Sequence, residues 1–134
     1  MTAYESQREE ADPEFYTSAV DIWVSVSKLM KKTDVVPKSS RFTIAVPIVE
    51  TARSAVYNVR RGIEFFPNSE ENVAKRKHYY TLAIADFKML QEDINCLKKV
   101  ASVRLSTFDK LISALKDEVA ILKNTRKNTR VRGR

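Results

Sequence analysis

Apolar residues recur at spacings of three and four in four separate stretches of the chain, the period of a helix with one buried face. The first is Phe15, Ala19, Trp23, Val26 and Met30. Asp12, Pro13 and Glu14 precede it and read as N-cap, first helical residue and first-turn acid, and Lys31-Lys32 place cations at its negative end. Residues 34–39 form a loop. The second stretch, capped by Ser39 or Ser40, is Phe42, Ala45, Ile48, Val49, Ala52, Val56, Val59 and Ile63. Pro47 lies inside it, where an interior proline costs about 3 kcal/mol. The helix therefore either bends there or begins near Val46 after a short turn; a bend is the favoured expectation. Residues 66–69 stop it. Asn68 and Glu71 have the spacing of a capping box. The third stripe follows as Tyr80, Ala83, Ile84, Phe87, Leu90, Ile94 and Leu97, running to about Lys99. After a break over residues 100–105, Ser106 and Asp109 signal a fourth start, with Phe108, Leu111, Ile112, Leu115, Val119 and Leu122 as its stripe. Four amphipathic helices with short loops predict an all-α, antiparallel up-down four-helix bundle over residues 13–122.

The third helix carries more than one apolar face. At 100° per residue its main stripe falls within about 80° of Phe87, and Leu82, Ala85, Met89 and Cys96 gather on the other side with His78. On the first helix, Tyr16, Val20 and Val24 make a four-residue ladder beside the main stripe. Scattered surface hydrophobes are ordinary, but a second apolar face also fits contact with another copy of the chain. Leu82, Ala85, Met89, Cys96, Tyr16, Val20 and Val24 are the expected interface of a homo-oligomer.

Charge sharpens the picture. The 134 residues carry a net +7, of which the last twelve supply six: Lys123, Arg126, Lys127, Arg130, Arg132 and Arg134, with no carboxylate among them. The other 122 residues are almost balanced, 18 basic against 17 acidic. Residues 1–12 are acidic and polar, unlike a secretory signal, and are expected to be partly disordered. No apolar run approaches the roughly 20 residues that span a bilayer. Cys96 is the one cysteine, so no intrachain disulfide forms and a cytoplasmic location fits.

In residues 123–130, KNTRKNTR, one four-residue unit is written twice. A helix there would stack Lys123 on Lys127 and Arg126 on Arg130, like charges that repel, and Asn and Thr are weak helix formers. Residues 123–134 are therefore expected to be a disordered basic tail that a polyanion orders. Arg60-Arg61 near the end of the second helix and Lys75-Arg76-Lys77 near the start of the third flank one turn, so both clusters should meet at one end of the bundle. Arg53 lies seven residues before Arg60, on the same face. These six residues and the six tail cations are the candidates for contact with nucleic acid or a polymerase. A solvated charged surface is the bland alternative. No zinc finger, RNA-recognition signature or base-reading motif accompanies them.

Groups for catalysis are sparse. His78 is the only histidine, and Cys96 lies 18 residues along the same helix, about 27 Å away. Gly62 and Gly133 are the only glycines, so there is no phosphate-cradling loop. Asp86, Glu92 and Asp93 share a helix with lysines and read as solvated ion pairs. The expectation is a protein that is not an enzyme and needs neither metal nor cofactor.

The stretches FYTSAVDIWVSVSKLMKK, VPKSSRFTIAVPIVETARSAVYNVRRGIEFFP and KRKHYYTLAIADFKMLQEDINCL give the chain, over roughly residues 13–122, a layout that resembles the accessory variability determinant (Avd) proteins of diversity-generating retroelements, within the four-helix-bundle family named after 23S rRNA intervening sequences. The resemblance implies a basic homopentameric adaptor. It would bind RNA, with DNA as a further polyanion, and a reverse transcriptase, and would support mutagenic cDNA synthesis and retrohoming. The alternative is a stand-alone nucleic-acid-binding bundle of the intervening-sequence type without a polymerase partner. Pro47 and the doubled KNTR match no pattern of the family.

Overall fold

A computed structural model of the chain describes residues 12–100 and 106–132. Among these residues it is all-helical and without strands, consistent with a four-helix bundle: α1 (Glu14–Met30), α2 (Val46–Glu64), α3 (Glu70–Val100) and α4 (Ser106–Asn128). The stripe expected on the third helix is the buried set of α3, residue for residue. On α4, Phe108, Leu111, Leu115, Val119 and Leu122 are buried and Ile112 packs at the edge of the core. On α1, Ala19, Ile22, Val26, Leu29 and Met30 are buried, with Phe15 and Trp23 half-buried against them. Val35 and Val36 of the first loop turn inward and close one end of this core.

Three local expectations change. Asp12 does not cap α1. The N-cap is Pro13, whose carbonyl accepts the N–H groups of Tyr16 and Thr17, while Asp12 pairs with Arg60 at 2.9 Å. Asn68 does not cap α3. Ser69 does, accepting the N–H of Asn72 on its Oγ at 3.1 Å, and the Asn68 side chain accepts from Asn72 Nδ2 instead.

Pro47 does not bend a long helix. The α-helix proper starts at Val46, with Pro47 in its first turn, where no N–H is needed. A 3₁₀ turn over Lys38–Ser40 and a π-helical turn over Arg41–Ala45 lead into it, and Val46 N–H reaches back five residues to the carbonyl of Arg41. The wider π turn holds one extra residue, which rotates everything before it about the axis. Phe42, expected in the buried stripe, is therefore 83% exposed.

Cross-contacts fix which ends meet. Asp12 at the start of α1 reaches Arg60 near the end of α2, and Phe15 packs edge-on against Tyr80 of α3 at 5.7 Å between ring centres. Arg76 near the start of α3 bonds to Gly62 and Ile63 at the end of α2. Lys98 at the end of α3 pairs with Asp109 at the start of α4, and Arg126 at the end of α4 reaches Thr81. α2 and α3 pack most closely, and the seam between α1 and α4 is the least packed.

Gly62 makes the α2–α3 approach possible. A Cβ there would lie 2.5 Å from Cε1 and 2.7 Å from Cδ1 of Tyr80, whose ring is fully buried. Between the same helices, Asp86 accepts from Ser54 Oγ at 2.8 Å and from the buried Asn58 Nδ2 at 2.9 Å. Asp86 is thus a link between helices rather than the solvated ion-pair partner expected.

Candidate nucleic-acid interface

The fourth helix does not stop at Leu122. It continues to Asn128, through the first six residues of the segment expected to be disordered, and the chain then runs on without regular secondary structure to Arg132. The four-residue repeat is what makes this workable. In a helix with 3.6 residues per turn, positions four apart fall on one face. Asn128 donates to Asn124 Oδ1, and Thr129 Oγ1 donates to the carbonyl of Thr125 at 2.7 Å. Thr125 itself donates to the carbonyl of Ile121. This back-bonding satisfies the threonine hydroxyls inside the helix but does not itself stabilise it. The stacked cations Lys123 and Lys127 are left exposed to solvent, where their repulsion is screened.

Beyond the helix, Arg132 N–H donates to the carbonyl of Pro67 at 2.8 Å, and its guanidinium lies 5.8 Å from the centre of the Phe66 ring. The tail is thereby tied to the α2–α3 turn. This brings the third basic group to the end that already holds Arg60-Arg61 and Lys75-Arg76-Lys77. A cleft of about 560 Å³ opens there. Arg76, Arg130 and Arg132 line it with Asn124, Asn128, Thr125 and Thr129, over a base that includes Phe15, Pro67 and Tyr80. Among the described residues no Asp or Glu lines it. Three guanidiniums and the amides of Asn124 and Asn128 are suited to an anion with several oxygens.

The candidate residues divide by what they already hold. Arg76 is half-buried, and its Nε and Nη2 donate to the carbonyls of Gly62 and Ile63 at 3.0 and 2.9 Å. It caps the C-terminus of α2 from the neighbouring helix, adding to the Phe65 N–H that already bonds the Gly62 carbonyl. Burial pushes its pKa down, and the charge of Arg132 adds to this. Arg60 is held by Asp12, by Glu64 at 3.7 Å and by the face of Tyr16 at 4.1 Å. Arg61 donates to Asn58 Oδ1. Lys75 pairs with Glu71 at 3.1 Å beside the Phe65 ring. Lys77, Lys127 and Arg130 form no ion pair among the described residues. Lys123 stands beside Lys88 and Arg126, and that like-charge crowding lowers its pKa.

Arg53 is not part of this end. It lies mid-way along α2, donating to Tyr57 Oη at 3.1 Å and pairing with Glu50, next to the Trp23–Tyr57 edge contact. Arg134 falls outside the described residues. The sequence reading missed Asn124, Thr125, Asn128 and Thr129 as lining residues. The signal was present in the period of four, but weak helix propensity and charge repulsion outweighed it.

The expected interface residues also divide. Leu82, Ala85, Met89 and Cys96 are exposed along one side of α3, Met89 at 61%, and Val24 is exposed on α1. Tyr16 and Val20 instead pack against the core of their own chain. His78 and Cys96 are both exposed on α3. Among the described residues no helix is long and apolar enough to cross a membrane. In comparisons with family models, curated proteins and solved structures, nothing matches the chain.

Proposed function

We propose that this protein is a non-catalytic nucleic-acid-binding bundle that takes RNA foremost, and DNA as a second polyanion, at its basic end. The observation that carries the reading is the cleft where α3, α4 and the tail bring Arg76, Arg130 and Arg132 together with no carboxylate among the described lining residues. Arg130 and Arg132 are the phosphate contacts, Lys123, Lys127 and Lys77 widen the positive surface around them, and Arg76 holds the frame. The remaining amide N–H groups of Asn124 and Asn128 complete contacts to phosphate oxygens, which position a strand without reading its sequence. The helices run up and down in turn, as the end-to-end contacts favour, so the three basic groups share one end by topology.

Self-association through Leu82, Ala85, Met89 and Cys96 would multiply this surface on one particle and raise avidity. The role of adaptor to a reverse transcriptase rests on the family resemblance; the stand-alone RNA-binding bundle rests on the cleft alone. Co-purification of a polymerase with the tagged protein from native lysate separates the two.

The test is the salt dependence of binding to a single-stranded RNA oligonucleotide, followed by fluorescence anisotropy. Arg130→Ala with Arg132→Ala should weaken binding and flatten the log–log salt slope by roughly 0.7 for each phosphate that the protein no longer neutralises. An unchanged affinity and slope would remove the cleft from the interface.

A further inference from the structure

Glu118 lies within the apolar stripe of α4, three residues after Leu115 and four before Leu122, and is 1% exposed. Neither carboxylate oxygen has a hydrogen-bond partner among the described residues. An unpaired ionised carboxylate in such a place costs several kcal/mol, and burial alone pushes its pKa up to about 8. The group is therefore kept as a neutral acid at a position where leucine would serve the core better. A buried acid without a partner calls for one from outside the chain.

The surroundings say what kind. Glu118 lines a cleft of about 500 Å³ along the loosely packed seam between α1 and α4. Asp21, Ser18 and Ser25 face it from α1, and Asp117 joins Glu118 from α4. Between these polar groups the lining is apolar, with Ile22 from α1 and Leu111 from α4. Among the described residues Lys110 is the one cation of the lining. In a chain of net charge +7 this is a local reversal of sign. No group of three or more His, Cys, Asp or Glu side chains among the described residues is placed to hold a metal ion, so the carboxylates are too dispersed for a single small cation. Dispersed carboxylates on both walls, with an apolar strip between, match several ammonium groups strung on methylene units. One lysine side chain would neutralise only one of them. The volume falls in the range of roughly 300–1,000 Å³ typical of small-molecule sites.

We infer that the α1–α4 cleft binds a linear polyamine, whose ammonium groups meet Asp21 and Asp117 at its walls and draw Glu118, closed off from solvent in the free chain, into contact, while its methylene chain lies on Ile22 and Leu111. Binding takes a proton from Glu118, because the ammonium favours the ionised carboxylate. The other titratable groups that face the cleft are Asp21 across it and Asp117 and Lys110 on the same helix. Affinity therefore rises with pH until Glu118 is ionised in the free protein, and protons are released below that point. This site is separate from the basic cleft, and the inference stands or falls independently of RNA binding.

The experiment is isothermal titration of the full chain with spermidine, free of RNA, in two buffers of different ionisation enthalpy. One molecule per chain should bind with net proton release near neutral pH. Glu118→Gln should remain helical and bind about tenfold more weakly, the effect of removing one charge-assisted hydrogen bond. Asp21→Asn, outside the core, should weaken binding without touching the packing. Butylamine, with one ammonium, should bind far more weakly than spermidine. No saturable binding, equal binding by both variants, or equal affinity for butylamine would overturn the inference, the last in favour of a partner's lysine side chain. So would a concentration-dependent particle mass that Ile121→Glu lowers, which would make the cleft a contact between copies.

Discussion

Replacing Glu118 by glutamine should remove a pH dependence of stability that the fold itself creates. In the unfolded chain this carboxyl titrates near 4.5; in the folded protein burial holds the proton until about pH 8. Between those values the folded state keeps a proton that the unfolded state has released. Stability then falls as pH rises, by about 1.4 kcal/mol for each pH unit. Below the lower value the contribution is complete, and above the upper one it is gone and the profile levels off. From about pH 5 to about pH 7 the wild-type protein should lose on the order of 2.7 kcal/mol through this one group, a large share of the roughly 5–15 kcal/mol that holds a domain folded. Glutamine has no such proton, so the difference between wild type and Glu118→Gln should change by that amount over the same range. Glu118→Leu should go further and raise stability near neutral pH, by about 1–4 kcal/mol if the site behaves as other buried charges replaced by apolar groups do. Urea unfolding followed by helical circular dichroism at several pH values measures each difference. Parallel stability profiles for wild type and Glu118→Gln between those pH values would show that Glu118 is ionised in the folded protein, and the reasoning from its burial would fail.

Other perturbations test other links. Gly62→Ala should cost about 1–3 kcal/mol by overpacking against the Tyr80 ring, less the small helix-propensity gain of alanine, and thermal unfolding should show a lowered midpoint. Ser69→Ala should cost about 1 kcal/mol by leaving the Asn72 N–H without its cap, while Asn68→Ala should cost clearly less in the same assay. Met89→Glu should leave the circular dichroism spectrum intact and reduce the particle mass seen in light scattering; an unchanged mass would remove the exposed side of α3 as a self-association surface.

Particular residues show which features a sequence makes legible. The stripe from Tyr80 to Leu97 is readable because α3 is a long regular helix, 31 residues, over which the 3.6-residue period never slips. Phe42 departs from its expected burial because a single π turn, invisible to a fixed period, rotates the register. Ser69 and Asn68 are both good caps, and which one serves is decided by where the chain leaves the α2–α3 turn. Asp12 has the chemistry of a cap, but Arg60, 48 residues away, offers it a stronger partner.

The sequence by itself determined the four α-helices seen among the described residues, most of the faces they bury and the concentration of positive charge toward the C-terminus. Those properties depend on neighbours within a turn or two, and periodicity and composition report them directly. Tertiary structure decided that the KNTR repeats continue α4 and that the following tail returns to Pro67, building the basic cleft. It also decided that Arg76 caps another helix and that Glu118 is buried without a partner. Each of these depends on which distant surface lies opposite, because a side chain's solvation and charge environment are set by the helices packed against it.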